Sequence, residues 1–330
     1  MEYLIILIIT ILIFTNAVTD APNAIATLVG TKVMEFKKAA KLSAIFNFVG
    51  IIVMCIINFS VADCISSMVN LDDGNKGYIV LISAMVSVIV FALIALVFGI
   101  PTSETHGLTA GLTGAALAIY GIQGVNFREW YNIVIGLIWS IIGTFFISIC
   151  ITKILYKSLN KISEKNIKKS QIVSTCGMSF MHGAQDGQKF IGILIIFIGL
   201  LNNNSNLKEM VANNYFSVII YTAVIMLIGV SIGGKKIVQN IGNNMISLDI
   251  KEGLCSDITT VLTLLIASLT GLPVSTTHAK TISIIGVGKV STKNKLNIKK
   301  VVSILKAWVY TFPICGVLSY IIANVLINIV

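Results

Sequence analysis

Long runs of hydrophobic residues dominate the chain, and short polar connections separate them. The longest runs cover residues 42–59, 78–100, 131–151, 215–232 and 301–330, and each comes close to the ~20 residues that cross a bilayer as a helix. Within the hydrocarbon core, only helices and closed barrels satisfy every backbone polar group. Barrel strands would alternate apolar and polar positions, and these runs are continuous. The pattern therefore predicts an all-α integral membrane protein.

The polar connections divide the chain into ten predicted crossings. The crossings of the first half cover residues 3–31, 42–59, 78–98, 101–120 and 131–152. Those of the second half cover residues 171–200, 215–233, 254–270, 273–288 and 303–328. Several are short or interrupted by polar residues, so we expect some of them to be broken helices or re-entrant hairpins. Five crossings in each half would give the halves opposite orientations. We therefore predict two inverted membrane repeats, residues 1–157 and 171–330, joined by a basic cytoplasmic linker at residues 158–170.

The lysines predict which side of the membrane each connection faces. They cluster near residues 32–41, 153–169, 235–251 and 289–300. Because cytoplasmic connections carry an excess of Lys and Arg, we expect these four inside the cell and both termini outside. The first fourteen residues could pass for a signal peptide, but Glu2 stands where such a peptide carries positive charge, so we interpret this segment as a retained crossing.

Composition supports a multi-pass protein of the cell membrane, with the lipid bilayer as its solvent. Hydrophobic residues make up 56% and charged residues 12% of the 330 residues, and the mean hydropathy is +0.92, outside the range of ordinary soluble domains. The net charge of +10 is spread over short connections and forms no basic face, which argues against a nucleic-acid partner. The six cysteines are scattered singly and are interpreted as packing residues.

Two polar motifs occur twice, in the same order, once in each half. The first motif covers residues 14–23 and 180–189 and carries an aspartate in each copy. The second covers residues 99–107 and 271–279 and contains a Pro-x-Ser-x-Thr-His element in each copy. Inverted repeats with interrupted helices are typical of secondary transporters. The duplication therefore favours a transporter.

Ionisable residues lie inside the predicted crossings. They are Asp20, Glu104, Asp186, Lys189, Asp257, Lys280 and the histidines His106, His182 and His278. On insertion scales a charged residue near the bilayer centre costs ~2.5–3.5 kcal/mol, so such residues usually mark an ion or substrate path. The set therefore indicates a site within the membrane.

The proline of each Pro-x-Ser-x-Thr-His element can break a helix and leave free backbone N–H groups at the start of the next one. Such a helix start attracts anions. The hydroxyls of Ser103, Thr105, Ser275, Thr276 and Thr277 would add donors suited to a tetrahedral oxyanion. The sequence thus predicts a site for an anion.

Two buried aspartates beside that anion would repel it, so cations have to join them. A tetrahedral oxyanion such as phosphate carries between one and two negative charges near pH 7, and moving one charge against an inside-negative potential costs ~2.3 kcal/mol per 100 mV. We therefore expect coupled uptake. Sodium held by Asp20, Asp186 and nearby amides is one possibility, and protons on carboxylates or histidines are the other.

At these residues the chain resembles the inorganic phosphate transporter (PiT) family over nearly its whole length. Residues 17–24 and 182–189 are similar to that family's two signatures, and residues 101–106 and 273–278 to its Pro-x-Ser-x-Thr-His elements. The resemblance implies a carrier of inorganic phosphate with no enzyme activity and no cofactor beyond a co-transported sodium ion or proton. It also implies a homodimer.

The resemblance implies roles for the matching residues. Phosphate would be bound by Asn23, Ser103, Thr105, Gln185, Lys189, Ser275, Thr276 and Thr277. The coupling cation would be bound by Asp20, Asp186, Thr19 and Glu104, with the two aspartates as sodium ligands, and His106, His182 and His278 would support the site. Three departures leave the ion preference open: Thr19 and Gln185 replace asparagines, and Glu104 stands where the second copy has Thr276, which adds a titratable group.

Other interpretations compete with these roles. Asp20 and Asp186 could be helix N-caps, and His106 and His278 could merely fasten the broken helices. Asp257 and Lys280 could pair with each other in a structural role. At the level of the whole protein, the alternatives are a carrier of sulfate or another oxyanion, a channel, and an intramembrane hydrolase.

Overall fold

A computed structural model describes residues 2–71, 74–201, 207–242, 248–291 and 297–329, and helices dominate this part of the chain. The first half contains α1 (Glu2–Thr19), α2 (Pro22–Gly30), α3 (Phe36–Ile57), α4 (Ser60–Ser66), α5 (Asn75–Phe98), α6 (Glu104–Tyr120), α7 (Phe127–Ile138) and α8 (Thr144–Leu159). The second half contains α9 (Glu164–Leu201), α10 (Leu207–Ile232), α11 (Lys235–Gly242), α12 (Ile250–Thr270), α13 (Thr276–Val290) and α14 (Ile298–Ile327). The predicted all-α fold is confirmed.

Eight helical segments of the described chain are long and apolar enough to cross a membrane. Two of them join elements: α1 and α2 form one segment, Glu2–Gly30, and α7 and α8 form another, Phe127–Leu159, through a π-helical turn at Trp139–Gly143. The predicted crossings at 101–120 and 273–288 contain α6 and α13, whose 17 and 15 residues give lengths of only about 22–25 Å. These two helices are therefore among the short crossings that we expect to be broken helices or re-entrant hairpins.

Each short helix follows a matching helix stop. The helices α5 and α12 end at Gly99 and Gly271, whose φ angles are +64° and +73°, a left-handed conformation that favours glycine at helix ends. An extended segment with a proline follows, and Ser103 and Ser275 then cap α6 and α13 by accepting hydrogen bonds from the backbone N–H groups of the histidines three residues on. The breaks predicted from the duplicated motif are thus present in both halves.

The first motif differs between its two copies. In the first copy the chain breaks between α1 and α2, because Pro22 at the start of α2 has no N–H to donate. In the second copy, α9 runs without interruption for 38 residues through Asp186. Gln188 stands where the first copy has Pro22, so the backbone hydrogen bonds of α9 can continue.

Helix α9 lies at the centre of the described fold. Its residues from Met178 to Leu200 are almost all buried, and α2, α3, α4 and α12 pack against it. Large apolar side chains on the outer helices are exposed instead, including Leu93, Val97 and Phe98 on α5. An apolar exterior around a partly polar centre suits a protein whose surroundings are lipid.

Two glycines allow α3 and α9 to approach closely. A Cβ atom on Gly183 would lie 2.2 Å from the backbone oxygen of Asn47, and one on Gly50 would lie 2.0 Å from the backbone oxygen of Phe180. Small residues at such crossings let membrane helices pack backbone to backbone. The crossing places α3 directly beside the motif residues of α9.

The predicted linker at 158–170 contains the turn between α8 and α9, and its last residues already belong to α9. The division into repeats 1–157 and 171–330, the sidedness of the connections and the external termini stay predictions.

Candidate functional site

The four motif copies meet in the interior of the described fold. Asp20 lies at the break between α1 and α2, Asp186 lies on α9, Thr105 lies in the first turn of α6, and Thr276 and Thr277 begin α13. All five side chains are buried, with at most 4% of their surface exposed. The convergence expected from the duplicated motifs is therefore present.

Asp20 is held by hydrogen-bond donors from α2 and α13. Its Oδ1 accepts hydrogen bonds from the hydroxyl of Thr277 and the amide of Asn23. The Thr276 hydroxyl lies 3.3 Å from Asp20 Oδ2 and 3.5 Å from Asp186 Oδ2. Thr276 therefore bridges the aspartates of the two halves, and the Asn23 amide also donates to the Thr277 hydroxyl at 2.7 Å.

Lys189 compensates the charge of Asp186. Its Nζ lies 2.6 Å from Asp186 Oδ1, 2.7 Å from Thr105 Oγ1 and 2.8 Å from the backbone oxygen of Val274. One ammonium group thus ties α9 to the start of α6 and to the extended segment before α13. Because a buried ion pair needs its remaining hydrogen bonds satisfied, the two additional acceptors stabilise the arrangement.

His182 contacts a carboxylate of the site directly. Its Nε2 is 3.1 Å from Asp186 Oδ2, and its Nδ1 is 3.1 Å from the Asn47 side-chain oxygen on α3. One ligand atom from each of Asp20, His182 and Asp186 lies within 4.8 Å of the other two. These three side chains could share a cation, and the oxygen atoms of the two carboxylates are suitable ligands for a hard one.

Thr19 and Glu104 contact each other at the edge of this cluster. The Thr19 hydroxyl lies 2.9 Å from Glu104 Oε1 and 2.8 Å from the backbone oxygen of Thr15. Glu104 is 7% exposed and begins α6. The structure thus brings the Glu104 carboxyl close to the residue that precedes Asp20.

Gln185 faces the segment that precedes α13. Its amide nitrogen lies 2.8 Å from Ser268 Oγ and 3.4 Å from the backbone oxygen of Leu272, and its side-chain oxygen accepts a 3.4 Å hydrogen bond from Val274 N–H. In this conformation the amide positions the backbone before α13. Ser103 and Ser275 similarly accept from the N–H groups of His106 and His278, at 3.3 Å each.

The histidines of the two Pro-x-Ser-x-Thr-His elements form an aromatic cluster with side chains of α14. The ring centroids of His106 and His278 are 4.5 Å apart, His106 stacks on Phe312 at 4.4 Å, and His278 lies 3.7 Å from Trp308. Phe312 and Trp308 belong to α14. The pair therefore joins α6 and α13 to each other and to α14, and a role in fastening the broken helices stays a prediction.

Sequence reasoning missed Asn47 and Asn16. Asn47 is a buried residue within the apolar run of α3 and is the partner of His182; a single amide inside such a run was the available signal. Asn16 precedes Asp20 by one turn, and neither atom of its buried side-chain amide has a hydrogen-bond partner among the described residues. The carbonyl of Val274 could not be found from the sequence because its role depends on the break before α13.

Comparison with known proteins relates the whole chain to one family. The model of the phosphate transporter family matches residues 16–319. A relative from Bacillus subtilis, a probable low-affinity inorganic phosphate transporter, is 32% identical over 98% of this chain and 99% of its own. A sodium-dependent phosphate transporter 1 from Pongo abelii is 32% identical over 45% of this chain and 22% of its own.

Among solved structures, a sodium-dependent phosphate transporter superposes on this chain with a TM-score of 0.80. The match covers 100% of this chain and 99% of that one, at 22% sequence identity. The overall fold is therefore shared.

Proposed function

Because the chain belongs to the phosphate transporter family, we propose that it takes up inorganic phosphate across the cell membrane together with sodium ions or protons, by alternating access. The observation that carries this proposal is the meeting of both motif pairs at Asp20 and Asp186, bridged by Thr276. The site joins hydroxyl and ammonium donors, which suit an oxyanion, to carboxylates, which suit a cation. The family comprises transporters and no enzymes, so a hydrolase finds no support.

We assign phosphate to the donor side of the site. The donors in direct contact with the aspartates or Lys189 are Asn23, Thr105, Thr276, Thr277 and Lys189 itself. Ser103, Ser275 and Gln185 hold the starts of α6 and α13 in this conformation, and they join the phosphate site when those segments move. The free N–H groups of the two helix starts add further donors.

We assign the coupling cation to the carboxylate side, with Asp20 and Asp186 as ligands, His182 beside them, and Thr19 and Glu104 at the edge. Asp186 has a lysine partner, and among the described residues no lysine or arginine forms an ion pair with Asp20. A cation would compensate that charge before a phosphate enters. The relative from Pongo abelii is a sodium-dependent transporter, which supports sodium as the coupling cation. The titratable carboxyl of Glu104 supports protons as the alternative.

Uptake of labelled phosphate into proteoliposomes tests this proposal. An inward sodium gradient and an inward proton gradient are imposed separately, each with an inside-negative potential. We expect phosphate to accumulate above its external concentration under at least one gradient, because each added cation offsets a cost of ~2.3 kcal/mol per 100 mV and per phosphate charge. Internal phosphate that never exceeds the external concentration under either gradient would instead indicate a channel, because passive entry against an inside-negative potential stops below that concentration.

Competition separates phosphate from other oxyanions. Unlabelled phosphate and arsenate should reduce the uptake of labelled phosphate, whereas sulfate at the same concentration should reduce it much less. Stronger inhibition by sulfate than by phosphate would make the chain a sulfate carrier. Cross-linking in the same membranes tests the homodimer, which stays a prediction.

Replacing Thr277 with valine should weaken phosphate uptake. The substitution keeps the shape of the side chain but removes the hydroxyl that donates to Asp20 and accepts from Asn23. Leaving buried polar groups unpaired costs about 1–3 kcal/mol, equivalent to roughly a 5- to 150-fold rise in the half-saturating phosphate concentration. The control, Thr277→Ser, keeps the hydroxyl and should stay close to wild type. Equal uptake by the valine variant would remove Thr277 from the site.

A further inference from the structure

A second buried polar cluster lies next to the candidate site. The Asp257 carboxylate on α12 pairs with Lys280 on α13, as the sequence allowed. The same carboxylate accepts hydrogen bonds from the hydroxyls of Thr27 at 2.6 Å, Thr175 at 2.8 Å and Ser174 at 3.3 Å. Asp257 and Lys280 are 0% exposed. Three helices, α2, α9 and α13, thus direct their donors at one carboxylate on α12.

The donors around Asp257 form a set that fits an oxyanion. Three hydroxyls and one ammonium surround the carboxylate, and the candidate site likewise combines threonine hydroxyls with the ammonium of Lys189. Lys280 also donates a hydrogen bond to Thr27 Oγ1 at 3.0 Å, so these two donors contact each other directly as well as through Asp257. Burying an ion pair is rarely needed for stability, because well-packed apolar residues serve as well. The donor set therefore calls for a functional explanation.

This second cluster lies one helical turn from the candidate site. Thr27 follows Asn23 by four residues on α2, and Lys280 follows Thr276 by four residues on α13, a displacement of about 6 Å along each helix. Both helices begin at the candidate site and continue toward the connections that carry the lysine clusters. The second cluster is therefore on the side that the lysines predict to be cytoplasmic.

Polar residues continue from this cluster to the surface. Thr31, one turn beyond Thr27, lies 3.1 Å from the side-chain oxygen of Gln171, which is one turn before Thr175 on α9. Thr31 also lines an open cavity of about 400 Å³, together with Glu164, Asp249 and Lys251. The column from Asn23 through Thr27 to Thr31 thus leads from the candidate site to the outside of the fold.

We propose that Lys280, Thr27, Ser174 and Thr175 form an inner anion site on the release path of phosphate, which the Asp257 carboxylate occupies and closes in this conformation. The inference rests on the proposed function. When α12 separates from α13, phosphate from the candidate site takes the donors that Asp257 leaves. Exchanging one anion for another keeps Lys280 paired throughout, which avoids an uncompensated buried charge.

The main test is phosphate binding by the purified protein in detergent, with Asp257→Asn compared with wild type. Asparagine has the shape of aspartate but no charge, so Lys280 lacks its internal anion and should recruit an external one. We expect the variant to bind about one additional phosphate per chain and to gain more thermal stability from added phosphate than wild type gains. The double variant Asp257→Asn/Lys280→Met should lose both effects. Binding and stabilisation no greater than wild type in a folded Asp257→Asn protein would overturn the inner site.

A second variant tests the inner site with the ion pair intact. Thr27→Val removes one hydroxyl donor and leaves Asp257 and Lys280 in contact. We expect maximal uptake per folded molecule to fall roughly tenfold with an unchanged half-saturating external phosphate concentration, since one hydrogen bond to a charged group is lost only on the inner side. Thr222→Val, another fully buried threonine outside both clusters, is the matched control. A Thr27→Val protein that transports as fast as the control would show that the cluster is only structural.

The two proposals fail separately in these experiments. If wild type accumulates phosphate but neither variant differs as expected, the inner site is wrong and the transport function stands. If wild type accumulates no phosphate under either cation gradient, the transport proposal itself is wrong.

Discussion

Replacing Asp20 with asparagine is expected to abolish cation-coupled phosphate uptake. Asp20 has no lysine or arginine partner among the described residues, and its oxygens contact neutral donors, Thr276, Thr277 and Asn23. Its charge is therefore the one that a coupling cation would compensate. Asparagine keeps the shape but removes that charge, and losing one partner of a buried charge pair costs ~3–5 kcal/mol. We expect initial uptake rates in proteoliposomes to fall by at least about 100-fold.

Two further variants make this result specific. Lys306→Ala should transport like wild type, because Lys306 is exposed near the start of α14 and its long side chain can reach the interface. Asp186→Asn should also abolish uptake, but it leaves Lys189 without its carboxylate and should lower thermal stability as well. An Asp20→Asn protein that still accumulates phosphate under a cation gradient would remove Asp20 from the coupling mechanism.

A methyl group added at Gly183 is expected to destabilise the protein strongly. The new Cβ would lie 2.2 Å from the backbone oxygen of Asn47, so the backbones of α3 and α9 would have to separate. Overpacking of this kind costs typically ~1–3 kcal/mol or more, which exceeds the ~1 kcal/mol that alanine gains over glycine in a helix. The thermal unfolding temperature of Gly183→Ala in detergent should therefore fall clearly below that of wild type.

The same change at Gly316 is the matched control. Its added Cβ would lie 3.5 Å from the nearest atom, the backbone oxygen of Ala110, which is an ordinary contact. Gly316→Ala should keep the wild-type unfolding temperature or raise it slightly through helix propensity. Equal stability of the two variants would mean that α3 and α9 do not approach as closely at Gly183 as the 2.2 Å distance implies.

The duplicated motifs predict both the helix breaks and the shared site. The paired prolines at 101 and 273 implied helix breaks in both halves, and the structure contains them with their serine caps. The buried aspartates at 20 and 186 implied a common centre, and a threonine bridges them. Both inferences depend on local chemistry, namely the missing N–H of proline and the cost of charge in lipid.

Partners from distant helices were not predictable in the same way. The family resemblance assigns Lys189 to phosphate, and in this structure Lys189 also forms an ion pair with Asp186 and donates a hydrogen bond to the carbonyl of Val274. Asn47 belongs to no motif, and it contacts His182 because Gly50 and Gly183 allow α3 to pack closely against α9. The uninterrupted course of α9 depends on one residue, since Gln188 replaces the proline of the first copy. Such details follow from which surfaces pack together, which one sequence does not reveal.

The first motif lies at a helix break in one half and inside a continuous helix in the other, so the two halves differ in how easily the backbone bends at the site. Between α1 and α2 the regular helical hydrogen bonding is interrupted at Pro22, and the backbone N–H groups of Asn23 and Ala24 reach only three residues back, to the carbonyls of Asp20 and Ala21. At Asp186, by contrast, α9 is one uninterrupted helix of 38 residues. Bending this helix would break backbone hydrogen bonds and leave backbone carbonyl and N–H groups unpaired in an apolar interior. We therefore expect any change in the shape of the site to bend the chain beside Asp20, while Asp186 and Lys189 keep their positions on α9.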